Sequence, residues 1–168
     1  MRRNIIVPVT AGALLALAGA AHAATKTTGF NVSAAVSKNC FVAASDMNFG
    51  PYDGTADVTA TSDINVRCSM DTPFVIKLDE GSGTGTYAAR KLTDGTDELE
   101  YNLYTAVDYV SVWGDGTAGS TTVGDTGQGM GASKAITKTV YGRLPNSAAN
   151  QDAPASNYFD AITVTVEY

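Results

Sequence analysis

The sequence contains a single histidine, His22, which lies in an N-terminal stretch that we expect to be removed. Without it the chain lacks the commonest general base and metal ligand. Cys40 and Cys68 are the only cysteines, and they leave no thiol nucleophile if they pair. A carboxylate pair is the one formal route to catalysis, but nothing in the sequence indicates a cleft. We expect no enzyme, no cofactor and no metal site.

Long apolar runs are absent except between Ile5 and Ala20. That run follows two arginines and ends at Ala21-His22-Ala23, the small-x-small pattern that signal peptidase cuts. It is too short for a membrane anchor. We interpret residues 1–23 as a signal peptide. The protein would then pass through the periplasm to the cell surface or the medium.

Basic residues are few. Removal of the leader leaves nine against seventeen acidic residues, a net charge of −8. A surface this acidic argues against nucleic acid and anionic lipid as partners. The remaining 145 residues suffice for one domain with its own core.

An even cysteine count in an exported chain favours a structural disulfide between Cys40 and Cys68. A reactive thiol pair would favour closer spacing, such as C-x-x-C.

Helical periodicity is also absent from the expected mature chain, and apolar residues recur at every second position instead. Gly, Asp, Asn and Pro turns separate these runs. The pattern predicts an all-β antiparallel sandwich of about seven strands. The strands predicted after Cys40 cover 57–68, 73–79, 89–92, 98–104, 121–123, 134–144 and 158–168.

One further alternating run, Phe30–Val36, lies between the expected cleavage site and Cys40. A strand at this place either pairs within its own sheet or is offered to another molecule, and we favour the second interpretation. The side chains on its apolar face are Phe30, Val32, Ala34 and Val36.

Two other features have a structural and a functional interpretation. Asp94–Glu98 and the region of Asp115 and Asp125 are candidate calcium loops by composition, but they lack EF-hand spacing and fit Asp-Gly turns better. Trp113 is expected to pack at a sheet end rather than to stack on a sugar.

Several short segments occur in a specific order along the chain: Cys40, Asn48-Phe49-Gly50-Pro51-Tyr52, Cys68, Tyr101-Asn102-Leu103-Tyr104, Val112–Thr117, Val140–Pro145 and Val164–Tyr168. Together they resemble the spore coat protein U domain, the subunit family of archaic (Csu-type) chaperone–usher pili.

The resemblance implies an immunoglobulin-like antiparallel β-sandwich that lacks one strand, at residues 39–168, preceded by a donor-strand segment at 24–38. It implies a pilus subunit that polymerises by donor-strand exchange and supports adhesion and biofilm formation. Its partners would be a periplasmic chaperone, an outer-membrane usher and neighbouring copies of itself or related pilins. The chaperone-binding edge would comprise Ile162, Val164, Val166 and Tyr168. A secreted spore or cell coat protein and a single-domain adhesive binding module are the alternatives.

Overall fold

A computed structural model describes residues 23–168. The expected signal peptide therefore lies almost wholly outside the described residues. The chain divides into two units after Ala35, and residues 23–39 form no regular secondary structure. The strands are β1 Cys40–Ala44, β2 Val58–Cys68, β3 Pro73–Leu78, β4 Arg90–Thr93, β5 Glu98–Tyr104, β6 Val123–Thr126, β7 Ile136–Leu144 and β8 Val164–Glu167.

These strands form two antiparallel sheets, so the predicted all-β class is confirmed. The larger sheet has the order β1-β2-β7-β5-β4, and the smaller has the order β6-β3-β8. The long alternating strand β2 pairs with β1 on one side and β7 on the other. Its register places Cys68 opposite Cys40 and Val58 opposite Leu144.

The core lies between the two sheets and consists of the residues that alternation had placed inward. Ile64 and Val66 of β2 face Ile76 and Leu78 of β3, and all four are at most 2% exposed. Trp113 is buried beside them, and its indole N–H donates to the Ile76 carbonyl at 3.2 Å. This hydrogen bond satisfies the one polar group of the side chain, as burial of a tryptophan requires.

Several local elements differ from the prediction. β1 was not predicted as a strand, and the strand predicted at 121–123 forms instead as β6, Val123–Thr126. The predicted strand 158–168 is regular only over β8, because Phe159 instead exchanges backbone hydrogen bonds with Thr93 at the outer edge of β4. A short helix α1, Ala148–Gln151, replaces part of a predicted turn region. The Ser147 hydroxyl caps it by accepting from the Asn150 N–H, which is the usual role of serine at this position.

The disulfide between Cys40 and Cys68 is present. It joins the first residue of β1 to the last residue of β2, which are also partners in the strand register. Cys68 is fully buried and belongs to the core cluster. The bond therefore holds the edge strand β1 against the sheet.

Replacing both cysteines with alanine should lower the free energy of unfolding by about 3–4 kcal/mol, the loop-entropy value for a separation near thirty residues. The measurement is guanidinium unfolding of the oxidised protein and of the Cys40→Ala/Cys68→Ala variant, with reduced wild type as the control. Equal midpoints for all three would contradict a stabilising role.

Candidate functional site: a groove between the sheets

A groove of about 1300 Å³ opens between the two sheets. Segment 44–54, which continues from β1, forms one wall, and segment 153–164, which leads into β8, forms the other. We call this feature the inter-sheet groove. The strand residues that form its floor are apolar except for two hydroxyls, and they are Ser62, Ile64, Leu78, Leu92, Leu99, Tyr101, Leu103, Val140 and Leu144.

The first wall packs closely on the larger sheet. Gly142 of β7 has no side chain, and a Cβ there would meet the Phe49 ring at 2.9 Å and overlap the Met47 sulfur. Phe49 also meets the Tyr101 ring edge-on, with ring centroids 6.0 Å apart. The wall thus depends on a glycine in the middle of a strand, where close approach of another segment is the usual reason for that residue.

The opposite wall ends in β8, which pairs with β3 along Val75–Leu78 and lies at the edge of the smaller sheet. Among the described residues β8 has no strand partner on its other side. Ile162, Val164 and Val166 turn toward the core and are half-buried, whereas Tyr168 is 56% exposed.

The burial of the inward side chains along β2 shows which part of the core is not covered by the smaller sheet. The inward residues near the disulfide, Ile64 and Val66, are buried. The inward residues at the other end, Val58 and Ser62, are only half-buried. An antiparallel strand in a sandwich is normally covered along its whole inner face. The core is therefore closed at the disulfide end and open beside the inter-sheet groove.

The predicted strand Phe30–Val36 is not a strand in the single chain. Phe30, Val32 and Val36 are 87%, 83% and 94% exposed, and Ala34 is exposed too. Alternating apolar side chains that all face water are unusual for a folded domain.

Arg90 of β4 does not line the groove, but it is the main buried charged residue that the sequence prediction missed. It is fully buried, and its guanidinium donates to the Asp79 and Trp113 carbonyls and to the Asn102 side chain at 2.7–3.0 Å. Burial lowers the pKa of Arg90, yet arginine keeps its charge in proteins. The only sequence signal for the burial of Arg90 was its position two residues before Leu92, which places both side chains on the same face of the strand.

A second polar contact crosses the end of the inter-sheet groove. The Tyr101 hydroxyl of β5 donates to the Asp160 carboxylate at 2.7 Å. Burial, and next the hydrogen bond and charge of Asp160, raise the pKa of Tyr101, so it stays protonated. Asp160 also accepts from the Ser82 N–H at 2.7 Å. These bonds fix the segment that enters β8 relative to the larger sheet.

The acidic clusters weighed as calcium loops act as turns. Asp94 accepts from the Thr96 and Asp97 N–H groups, and Asp115 accepts from the hydroxyl and N–H of Thr117. These bonds lower the pKa of both carboxyls. Over residues 23–168 no three His, Cys, Asp or Glu side chains lie close enough together to hold a metal ion.

Replacing Tyr101 with phenylalanine should lower the free energy of unfolding by about 1.5–3 kcal/mol, the usual value of a hydrogen bond to a charged partner. The measurement is urea unfolding at neutral pH. Tyr104→Phe on the same strand is the matched control, since no hydrogen bond of its hydroxyl is found. Equal losses in both variants would contradict the role given to the Tyr101–Asp160 bond.

Comparison with known proteins finds one matching family model and several similar solved structures. The family model described as Spore Coat Protein U domain matches residues 26–165. No curated protein matches the chain. Within residues 23–168, no helix has the length and apolar character needed to cross a membrane.

One similar solved structure is the CsuC–CsuE chaperone–tip adhesion subunit pre-assembly complex from the archaic chaperone–usher Csu pili of Acinetobacter baumannii. The TM-score is 0.53 at 23% sequence identity, over 79% of this chain and 40% of that chain. The chain thus spans less than half of the neighbour's length, and the likeness concerns the fold.

Proposed function

From the premise that this chain belongs to the spore coat protein U domain family over residues 26–165, we propose that it is a structural subunit of an archaic chaperone–usher surface pilus. Subunits would join when the segment 24–38 of one copy enters the inter-sheet groove of the next. The fold similarity to a chaperone–tip adhesion subunit complex supports this assignment. Neither that complex nor a coat protein domain is described as an enzyme.

The observation that carries the proposal is that one chain contains both an open groove and an exposed apolar segment that could fill such a groove. The groove presents an apolar floor next to the edge strand β8. The segment Phe30–Val36 presents alternating apolar side chains to water. An added strand would bond to the edge backbone of β8 and place alternate side chains in the groove.

Dimensions and charge favour this segment as the occupant. Seven residues in a strand span about 23 Å, enough to run along a sandwich groove. Residues 24–38 contain Lys26 and Lys38 and no acidic residue. The residues lining the groove in the described chain include Asp46, Asp53 and Asp160 and no lysine or arginine. Opposite charges of this kind speed encounter and disfavour wrong partners.

The free energy expected from inserting the segment into the groove is large enough for a stable contact between subunits. Burying Phe30, Val32, Ala34 and Val36 should contribute on the order of 5–7 kcal/mol from side-chain transfer alone. Backbone hydrogen bonds to β8 would add to it. The contact joins different surfaces of two copies and does not close on itself, so repetition would build a fibre.

An open groove beside an unpaired edge is an aggregation hazard before assembly. We propose that a periplasmic chaperone covers the edge formed by Ile162, Val164, Val166 and Tyr168 until an outer-membrane usher transfers the subunit. Residues 1–23 would act as the signal peptide for export. Adhesion and biofilm formation would follow from the assembled fibre.

Two alternatives use the same fold. A secreted spore or cell coat protein would use the same contact without an usher, and its loss would remove a coat layer rather than fibres. A single-domain adhesive module would leave fibres intact when deleted and abolish attachment only. Electron microscopy of cells with and without the gene, combined with an attachment assay, separates these outcomes.

Replacing Val32 with aspartate should abolish polymerisation, because an unpaired charge in the groove costs several kcal/mol. Ser33→Asp is the matched control, since Ser33 occupies the opposite face of the same strand and would remain in water. Negative-stain microscopy of surface fibres and size-exclusion chromatography of purified subunits give the readout.

We expect the Val32→Asp subunit to be exported and to bind chaperone normally, while Ser33→Asp forms fibres as wild type does. Normal fibres from Val32→Asp would show that the segment is not the joint. Loss of fibres in both variants would point to a general charge effect and would also count against the proposal.

Deleting Val166–Tyr168 should abolish co-purification of the subunit with its chaperone, since it removes half of the proposed edge. Thr165→Ala is the control because Thr165 points outward and is exposed. The measurement is pull-down of tagged chaperone from periplasmic extract. Unchanged recovery after the deletion would place the chaperone on another surface.

A further inference from the structure

Ser69, the residue after the disulfide cysteine Cys68, contacts the chain just before β1 by several hydrogen bonds. The Ser69 hydroxyl accepts from the Asn39 N–H at 3.1 Å. It lies 3.3 Å from the Ser37 carbonyl and 3.4 Å from the Asn39 carbonyl, to either of which it can donate its proton. The Ser69 N–H donates to the Asn39 carbonyl at 2.9 Å. The hydroxyl and N–H of Ser69 thus hold residues 37–39 through contacts with the backbone atoms of that segment and with none of its side chains.

The platform that carries Ser69 is rigid. Its carbonyl accepts from the N–H of Thr72, a buried residue, within a tight turn. Gly127 packs directly over the turn, and a Cβ there would meet the Cys68 Cβ at 2.7 Å and overlap the Ser69 carbonyl. Loosening this platform would require breaking core contacts, so the serine cannot easily follow a moving segment.

We propose that Ser69 and the adjacent disulfide form a latch, made of Ser37, Asn39, Ser69 and the Cys40–Cys68 bond. The latch fixes the direction in which the polypeptide preceding β1 joins the domain. Ser69 is a positioning residue: it contacts only the backbone, so it holds the root of the segment whatever side chains that root carries.

The role of the latch in assembly rests on the proposed function. If residues 24–38 bind a neighbouring copy, residues 37–39 are the joint between two domains. If every residue of this linker could rotate freely, successive domains would adopt many relative angles. Hydrogen bonds to the backbone of residues 37–39 remove part of that rotational freedom. The latch would therefore stiffen the fibre without contributing to the groove contact itself.

The latch can be tested on the monomer, because trypsin cleaves after lysine and Lys38 lies inside the latch. Cleavage between Lys38 and Asn39 requires Asn39 to leave Ser69, whereas cleavage after Lys26 does not. In the Ser69→Ala variant the Lys38 cut should become about fivefold faster, the change expected from one hydrogen bond of ordinary net strength. The rate of the Lys26 cut, followed by mass spectrometry in the same reaction, should not change.

Two further variants separate positioning from general stability. Ser69→Thr keeps the hydroxyl and should restore the slow Lys38 cut. Ser62→Ala removes a hydroxyl that binds the Ser45 carbonyl at the opposite end of β1, and it should leave the Lys38 cut slow. An unchanged Lys38 rate in Ser69→Ala, or equal acceleration at Lys26 and Lys38, would overturn the latch.

Fibres of the Ser69→Ala protein provide the second readout. They should form in normal number but bend more, with a persistence length reduced at least twofold in cryo-electron micrographs. Equal persistence lengths would overturn the stiffening role. Absence of fibres from wild-type protein would instead overturn the proposed function, and the proteolysis result would still decide whether the latch exists.

Discussion

Incomplete cover of the core is the constraint on which the rest of this structure depends. A five-stranded sheet faces a three-stranded one, and the smaller sheet cannot cover the whole inner face of the larger. Beside the disulfide, β3 and β8 close the core over Ile64 and Val66. Beyond β8 the same inner face opens into the inter-sheet groove. Apolar surface and an unpaired backbone edge meet there, and both are costly in water.

Polar contacts near one end of the inter-sheet groove hold the surrounding segments in place. The buried Arg90 guanidinium binds carbonyls that follow β3 and precede β6, and it binds Asn102 of β5. The Tyr101–Asp160 bond holds the segment that leads into β8. Each contact satisfies a group that would be expensive to bury alone. These contacts, all within one chain, thus help to define the shape of the groove.

At the other end of the domain the disulfide and Ser69 give the chain before β1 a fixed root. In the proposed function, the inter-sheet groove would be the acceptor and residues 24–38 the donor of a head-to-tail contact between subunits. Phe30, Val32 and Val36 are exposed in the chain that carries them, so substitutions there would change the strength of that contact with little effect on the stability of the domain.

The sequence alone determined the all-β class, the disulfide and the inward faces of β2 and β3, because a period of two and an even cysteine count depend on local residue order. It also predicted that Phe30–Val36 is an apolar strand face offered to another molecule, which stays a prediction. Only the tertiary structure decided that Arg90 is buried, since its partners are the Asp79 carbonyl after β3, the Asn102 side chain of β5 and the Trp113 carbonyl in the loop before β6. The same holds for the shortening of β8, which the pairing of Phe159 with Thr93 causes, and for the groove. Each of these three features depends on contacts between segments that are distant in the sequence, and local sequence patterns do not encode such contacts.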